Sequence, residues 1–348
     1  TNELLIMPRD MSSDELKEYE TINPNTQQPV PHYWTNSSGF QNPYWDINRT
    51  ALDEGRDRIM LVGSVKYQIM DWLSVQGRYS LDQYNDRITG TFYAGTLPVT
   101  TNPGGRYQVD YVNHWERNMD ILLSGKNPIG RNFGVNYNLG ASLLNNNGYD
   151  DESLANGLTV PNMFDLNFAT TPSFSYIESK KEIQSVYGNA ELDYKQRLFL
   201  DVSGRNDWSS TLPPPYGFFY PSIGLSGVLS EMVKLPSWVS FAKVRGAYTQ
   251  VGNDADPYLL QQTYTYSPGA GQGFIARDGN RDIDNLKPER TESWEFGTDW
   301  RFLNGRLGVN ATVYKTNTIN QLILISLPQP SGFNTQYING GNVQNKGI

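Results

Sequence analysis

Five oxygen-bearing side chains, Asp278, Asn280, Asp282, Asp284 and Glu289, fall at the first, third, fifth, seventh and twelfth places of a calcium loop. The sixth place, where such a loop turns on glycine, is Ile283, and no helical pattern flanks the run. Calcium is therefore a weak expectation, and a solvated acidic loop is the favoured reading. Gly252-Asn253-Asp254-Ala255-Asp256 is equally weak. His32 and His114 stand far apart, without a second histidine at ligand spacing or a nucleophile in a recognisable arrangement. The carboxylates Asp150, Asp151 and Glu152 lie among Asn and Gly, which keeps them hydrated rather than poised for proton transfer. With no cysteine, thiolate nucleophiles and thiolate metal sites are excluded. No enzyme and no cofactor is expected.

Aromatic residues in polar loops offer a different chemistry. Trp34, Tyr44, Trp45, Phe92, Tyr93, Tyr107, Trp115, Tyr264, Tyr266 and Phe274 are interleaved with Asn, Gln, Asp and Arg. Sugar rings present apolar faces edged with hydroxyls, and peptides present apolar side chains beside polar backbone. Aromatic platforms next to polar groups suit either, so these ten residues are the substrate-binding candidates. The competing reading is that the rings pack large loops against themselves.

Such loops need a frame. Hydrophobic residues make up 38% of the chain but aromatics 13%, a balance that argues against disorder and for many strands joined by polar turns. The net charge of −8, with scattered cations, argues against nucleic acid as a partner. The period-two pattern is explicit. Leu73, Val75, Gly77, Tyr79 and Leu81 alternate with Ser74, Gln76, Arg78, Ser80 and Asp82. Phe133, Val135, Tyr137, Leu139 and Ala141 alternate with polar or small neighbours, as do Val186, Gly188, Ala190, Leu192 and Tyr194. Each segment is a strand with one apolar and one wet face.

Short turns join these segments in pairs: Met70-Asp71-Trp72, Asn127-Pro128-Ile129-Gly130, Lys195-Gln196-Arg197, residues 231–240, and Leu303-Asn304-Gly305 with its Asn-Gly hairpin signal. Long connections at 83–117, 143–182, 252–289 and 321–337 separate the pairs. Alternating short and long connections are the layout of a transmembrane barrel, and strands of about nine to eleven residues suit a tilted bilayer crossing. Tyr67, Trp72, Tyr79, Tyr194, Phe199, Trp238, Trp300 and Phe302 near the strand ends fit an interfacial girdle. The expected fold is all-β, an antiparallel transmembrane β-barrel over residues 57–348. Residues 1–56 read as an outer-loop-like segment with a helix capped by Ser12 and Glu15. A secreted β-rich adhesin or carbohydrate-binding protein is the alternative, with a sandwich hydrolase behind it; both require apolar faces turned onto a dry core.

Specific residues narrow the choice. Leu286-Lys287-Pro288-Glu289-Arg290-Thr291-Glu292 and Glu295-Phe296-Gly297, followed by Leu303-Asn304-Gly305 and Thr312-Val313-Tyr314, resemble the barrel of TonB-dependent receptors. Gly204-Arg205-Asn206-Asp207-Trp208, Phe219-Tyr220-Pro221-Ser222 and Val244-Arg245-Gly246-Ala247-Tyr248 resemble its SusC/RagA branch. The resemblance implies a fragment of about ten strands, under half of a 22-stranded barrel, with the plug domain and the last strands lacking and the chain truncated at both ends. It implies outer-membrane lipid as surroundings in a Gram-negative bacterium and import of an oligosaccharide or peptide. It also implies a SusD-like surface lipoprotein as lid, and TonB acting through a missing N-terminal region.

Overall fold

The computed structural model describes residues 11–32, 41–97, 104–267, 273–283 and 285–348. Strands account for 69% of the chain, which makes the fold all-β. In chain order the strands are β1 (Glu20–Ile22), β2 (Pro29–Pro31), β3 (Thr50–Met70), β4 (Leu73–Phe92), β5 (Arg106–Ile129) and β6 (Phe133–Leu158). They continue with β7 (Ala169–Tyr194), β8 (Leu198–Ser209), β9 (Gly217–Val228), β10 (Val239–Asn253), β11 (Tyr264–Ser267) and β12 (Phe274–Arg277). The last four are β13 (Asn280–Arg281), β14 (Glu289–Phe302), β15 (Leu307–Ser326) and β16 (Thr335–Gly347). Three short helices accompany them: α1 (Ser13–Lys17), α2 (Pro43–Arg49) and α3 (Leu229–Met232). Among the described residues no helix is long and apolar enough to cross a membrane, which has no bearing on strands.

One twelve-stranded sheet runs in the order β13-β16-β15-β14-β10-β9-β8-β7-β6-β5-β4-β3. Apart from the two-residue β13, each strand lies beside its neighbour in sequence, with the excursion β11–β13 between β10 and β14. This is the up-and-down topology of a barrel wall. Ten strands and the start of another were expected, and β16 is the one whose opening was legible.

Strand ends differ from expectation. β6 and β7 each run 26 residues, and even β8 has 12, against the nine to eleven of a bare bilayer crossing. Much of 83–117 and 143–182 is ladder rather than loop, with β4 continuing to Phe92, β5 starting at Arg106, β6 reaching Leu158 and β7 starting at Ala169. The first of these strands, β3, already starts at Thr50, inside the segment read as loop-like. The reason is physical. Alternation marks a strand with one greasy face, and a ladder wet on both faces keeps its hydrogen bonds but loses the pattern. Among the described residues only those of 252–289 are mostly irregular, and the connection read as 321–337 shrinks to 327–334. The turn read at residues 127–130 falls at Gly130-Arg131-Asn132, because Pro128 is tolerated near a strand end. The Asn-Gly hairpin forms as read, with Leu303, Asn304 and Gly305 at φ 53°, 56° and 83°.

Contacts divide the chain into two compact units. The first comprises Thr1–Met60, Asp82–Glu116 and Asn147–Ser179. Its helix α1 carries the expected capping box, with Ser12 and Glu15 satisfying each other's backbone N–H. Asn42 caps α2 and donates to the Leu16 carbonyl at 3.0 Å, joining the two helices. Trp45 on α2 is fully buried, its indole N–H donating to Thr96 Oγ1 at 2.8 Å. Arg49 holds Glu20 through two bonds of 2.6 Å and lies over the Tyr93 ring at 4.9 Å. Further out, Arg56 and Asp86 pair at 2.6 Å, and Arg58 and Asp82 at 2.5 Å.

The second unit comprises Leu61–Leu81, Arg117–Asn146 and Lys180–Ile348. It has one small apolar nucleus, Leu212, Ala255, Ile283 and Leu286, against which Phe218, Leu259, Leu260, Leu322 and Tyr337 pack. That nucleus roots the long connection between β10 and β14.

Candidate functional site

The register of the second unit sorts side chains into two opposed faces. Ala190, Val202, Ile223, Tyr248 and Trp294 form one cross-strand row over β7, β8, β9, β10 and β14. Leu192, Leu200, Leu225, Gly246, Phe296 and Val313 form the next, extending to β15. Tyr194, Leu198, Gly227, Val244, Thr298 and Ala311 form a third. On the opposite face stand Asn189, Ser203, Ser222, Thr249, Ser293 and Thr316, and beside them Glu191, Asp201, Gly224, Ala247, Glu295 and Tyr314. Hydroxyls pair across that wet face, Ser222 with Thr249 at 3.1 Å, Ser293 with Thr316 at 3.1 Å and Thr291 with Thr318 at 2.9 Å. Arg78 grips Asp120 at 2.8 Å, and Asn136 donates to Glu191 at 2.9 Å.

The apolar face is uncovered by protein: Leu225 is 52% and Phe296 57% exposed. Each such side chain held in water forgoes roughly 1.5–3 kcal/mol of transfer energy, so rows of them demand an apolar surrounding. A sandwich would turn these rows inward onto a dry core; this wall turns them outward. Aromatics edge the band at the short-turn end, where Trp238 stacks on Phe302 at 5.6 Å and Phe133 meets Tyr194 at 4.9 Å. Rings of this kind favour the headgroup level.

The loop roots are tied by polar contacts. Lys181 pairs with Asp254 at 2.6 Å, while Ser209 and Thr211 donate to the other oxygen of that carboxylate at 2.5 and 3.3 Å. Asp254 is 6% exposed in its side chain, so this clasp of β7, the β8 exit and the β10 exit is shielded from water. Leu286 is buried, and the Lys287 backbone is held at both ends by Asn339, through N–H to Oδ1 at 2.7 Å and Nδ2 to carbonyl at 2.8 Å. Glu289 accepts the Leu322 N–H at 2.9 Å. The Leu-Lys-Pro-Glu run is thus a staple between the returning loop and β15–β16.

That staple also changes the reading of the calcium spacing. Glu289 caps a strand N–H, and Ile283 is buried in the apolar nucleus where a metal loop would turn. Asp278 accepts from the Asn280 N–H at 3.1 Å and the Thr263 hydroxyl at 3.0 Å, which lowers its pKa below the ordinary carboxylate value. Asn280 is engaged by the Thr335 hydroxyl, and the Asp282 carbonyl accepts from Gln336 at 3.5 Å. Asp284 lies outside the described residues. Among the described residues no group of carboxylates and histidines is arranged to hold a metal.

The aromatic candidates separate into two kinds. Trp45 is fully buried, Tyr93 and Tyr107 pack on Phe164 at 5.0 and 6.4 Å, and Arg106 lies over Phe92 at 5.2 Å. Tyr44 and Trp115 are half-buried, and Trp34 lies outside the described residues. In the hairpin β11–β12, Tyr264 faces Arg277 and Tyr266 faces Ile275, so these four share one face, while Phe274 lies on the other opposite Ser267. Tyr264, Tyr266 and Phe274 are each more than 60% exposed. Arg277 anchors the hairpin by covering the Phe333 ring at 3.8 Å and donating to the Gly332 carbonyl. A second exposed group, Tyr149 stacked on Tyr176 at 5.9 Å with Phe174 beside it, was passed over in the sequence. The alternation Phe174-Ser175-Tyr176 was its signal, hidden in a stretch read as loop.

A wall with an apolar outer band, a hydroxyl- and carboxylate-lined inner face and up-and-down strands defines a membrane-spanning β-barrel. The chain belongs to the TonB dependent receptor-like, beta-barrel family, whose model matches residues 9–348. This is a family of Gram-negative outer-membrane receptors and transporters, not enzymes. The chain is 29% identical to TonB-dependent receptor P26 of Formosa agariphila over 89% of its length and 32% of that protein. It is 25% identical to TonB-dependent receptor SusC of Bacteroides thetaiotaomicron over 49% of the chain and 18% of that protein. In fold it resembles the RagAB peptide transporter, with a TM-score of 0.79 and 17% identity over 91% of this chain and 36% of that one. The chain therefore spans about a third of the length of the first of these relatives, and its fold is a partial barrel.

Proposed function

We propose that this chain is the wall and substrate-side loops of an importer that carries a large nutrient, an oligosaccharide or a peptide, through the Gram-negative outer membrane. The observation that carries this reading is the pairing of an uncovered apolar outer face with a wet inner face across β7–β10, β14 and β15. The inner face offers hydroxyls, amides and carboxylates in rows, suited to a hydrated, multiply hydrogen-bonded cargo. Neither face carries the concentrated cations that nucleic acid would require.

Within this reading the β11–β12 hairpin is the first contact for cargo or for a SusD-like lid. Its Tyr264, Tyr266 and Phe274 are exposed, whereas Tyr93 and Tyr107 pack on Phe164 and Trp45 is fully buried. TonB would act through a plug supplied by the rest of the receptor. The test uses the complete receptor. It fractionates with the outer membrane and needs detergent to stay dispersed; a monodisperse detergent-free preparation would sink the membrane reading. Incubated with mixed oligosaccharides and mixed peptides, it retains one class, identified by mass spectrometry. Replacing Tyr264, Tyr266 and Phe274 with Ala lowers retention about tenfold, the loss of roughly 1.4 kcal/mol expected of exposed aromatic contacts. Unchanged retention would remove the hairpin from the binding surface.

A further inference from the structure

A groove of about 610 Å³ interrupts the apolar face. Its floor is made by two glycines, Gly227 on β9 and Gly246 on β10, each opposite a large apolar residue, Val244 and Leu225 respectively. A side chain at Gly246 would meet the Phe296 ring at 3.2 Å, and one at Gly227 the Met232 sulfur at 3.6 Å. The walls are Leu198, Ile223, Trp294 and Phe296, and Leu229 and Met232 of α3 close the short-turn end. Along β9 the lining extends from Ile223 to Gly227 and along β10 from Val244 to Tyr248. At the rise of a strand each of those spans is roughly 13 Å. One leaflet of a bilayer core is about 15 Å deep.

The short-turn mouth is charged. Arg197 immediately precedes the wall residue Leu198, and its carbonyl accepts the Val228 N–H at 2.7 Å, beside the start of α3. Lys234 follows α3 by two residues. Both side chains are exposed, and among the described residues neither has a hydrogen-bonded or ionic partner. Glu231 on α3 is the acidic neighbour, and Lys195 lies over the Tyr194 ring at 5.4 Å. Trp238, stacked on Phe302, marks the same end of the wall as the headgroup level.

We propose that this groove is a binding site for one anionic phosphoglyceride of the leaflet at the short-turn end. An acyl chain lies in the Gly227–Gly246 notch, and the phosphate sits between Arg197 and Lys234. The length is close to the depth of one leaflet, the lining is apolar apart from Arg245, and two unpaired cations stand where the headgroup would emerge. A cationic guanidinium and ammonium at the mouth select a phosphate over a neutral headgroup. This rests on the membrane reading above, and its test separates the two.

The complete receptor, stripped of lipid in detergent, is titrated with dioleoyl phosphatidylglycerol, dioleoyl phosphatidylethanolamine and dioleoylglycerol, and bound lipid is counted by native mass spectrometry. One phosphatidylglycerol is expected to bind about tenfold more tightly than dioleoylglycerol. Arg197→Glu with Lys234→Glu removes that preference, while Gly246→Leu weakens all three lipids by about tenfold. Met232→Gln at the groove mouth does the same if Gly246→Leu fails to fold. Leu139→Ala, elsewhere on the apolar face, changes nothing. Equal binding of the three lipids, a preference that survives the charge reversals, or equal loss in the Leu139 variant would overturn the proposal. A receptor that needs no detergent would instead overturn the membrane reading.

Discussion

Replacing Asp254 with Ala tests whether the buried clasp organises the loop roots. The carboxylate is the only ionic partner recorded for Lys181 among the described residues and the acceptor for the Ser209 and Thr211 hydroxyls. Its loss strands an ammonium whose side chain is 24% exposed and removes the acceptor from two hydroxyls. Breaking a buried pair from one side costs about 3–5 kcal/mol, and partial access of Lys181 to water places this site near 3 kcal/mol. At 1.4 kcal/mol per decade, local opening becomes roughly a hundredfold more frequent. Amide hydrogen exchange in the detergent-solubilised receptor reads this directly. The Ser210 N–H, bonded to the Glu182 carbonyl at 2.9 Å, and the Leu212 N–H, bonded to Ser209 at 3.3 Å, exchange faster. Amides of the β14–β15 ladder do not change. The double variant Lys181→Met, Asp254→Leu regains most of the protection, because an apolar pair carries no stranded charge. Unchanged exchange at 210–212, or a uniform rise over the whole sheet, would refute the reasoning.

Other outcomes follow from the same geometry. Trp45→Ala opens a cavity in the first unit and costs about 3–5 kcal/mol, read as faster proteolysis within residues 11–49 with the β14–β15 hairpin intact. At Gly140, where a Cβ would overlap the Tyr187 ring, Gly140→Val costs about 1–3 kcal/mol, seen in the urea midpoint, and a further Tyr187→Ala restores most of it. Asp278 holds its carboxylate below the ordinary value, so its contribution is complete above the unfolded pKa of about 4 and disappears as pH falls through the lowered value. Protection of the amides at 263–267 and 273–281 is flat from neutral pH down to about 5 and drops below about 4. Asp278→Asn removes that drop.

The wall was legible because its physics is repetitive. A strand between lipid and water must alternate, so the Leu73 and Val186 segments announced both faces, and Asn304-Gly305 announced its hairpin. What was not legible was where strands stop. From Asn145 to Asn156 the ladder continues with mostly polar residues on both faces, and backbone hydrogen bonds leave no mark on residue type; from Tyr107 to Trp115 the alternation of Tyr107, Val109, Tyr111 and Trp115 with Gln108, Asp110 and His114 was present but was passed over. The aromatic loops failed for a related reason. Trp45 and Tyr264 sit in similarly polar surroundings in sequence, yet one is fully buried on α2 and the other stands exposed on β11. That difference depends on Thr96, 51 residues away, and no local pattern carries it.

The staple on Lys287 and Glu289 has a consequence for the order in which the molecule is assembled. Its partners lie later in the chain, Leu322 by 33 residues and Asn339 by 52. The connection between β10 and β14 therefore cannot settle on local contacts alone; its staple waits until β15 and β16 are in place. Closing contacts over such separations is slow compared with forming a hairpin. Maturation of this loop is thereby timed to completion of this stretch of wall, so that an unfinished wall presents no ordered loop beside it.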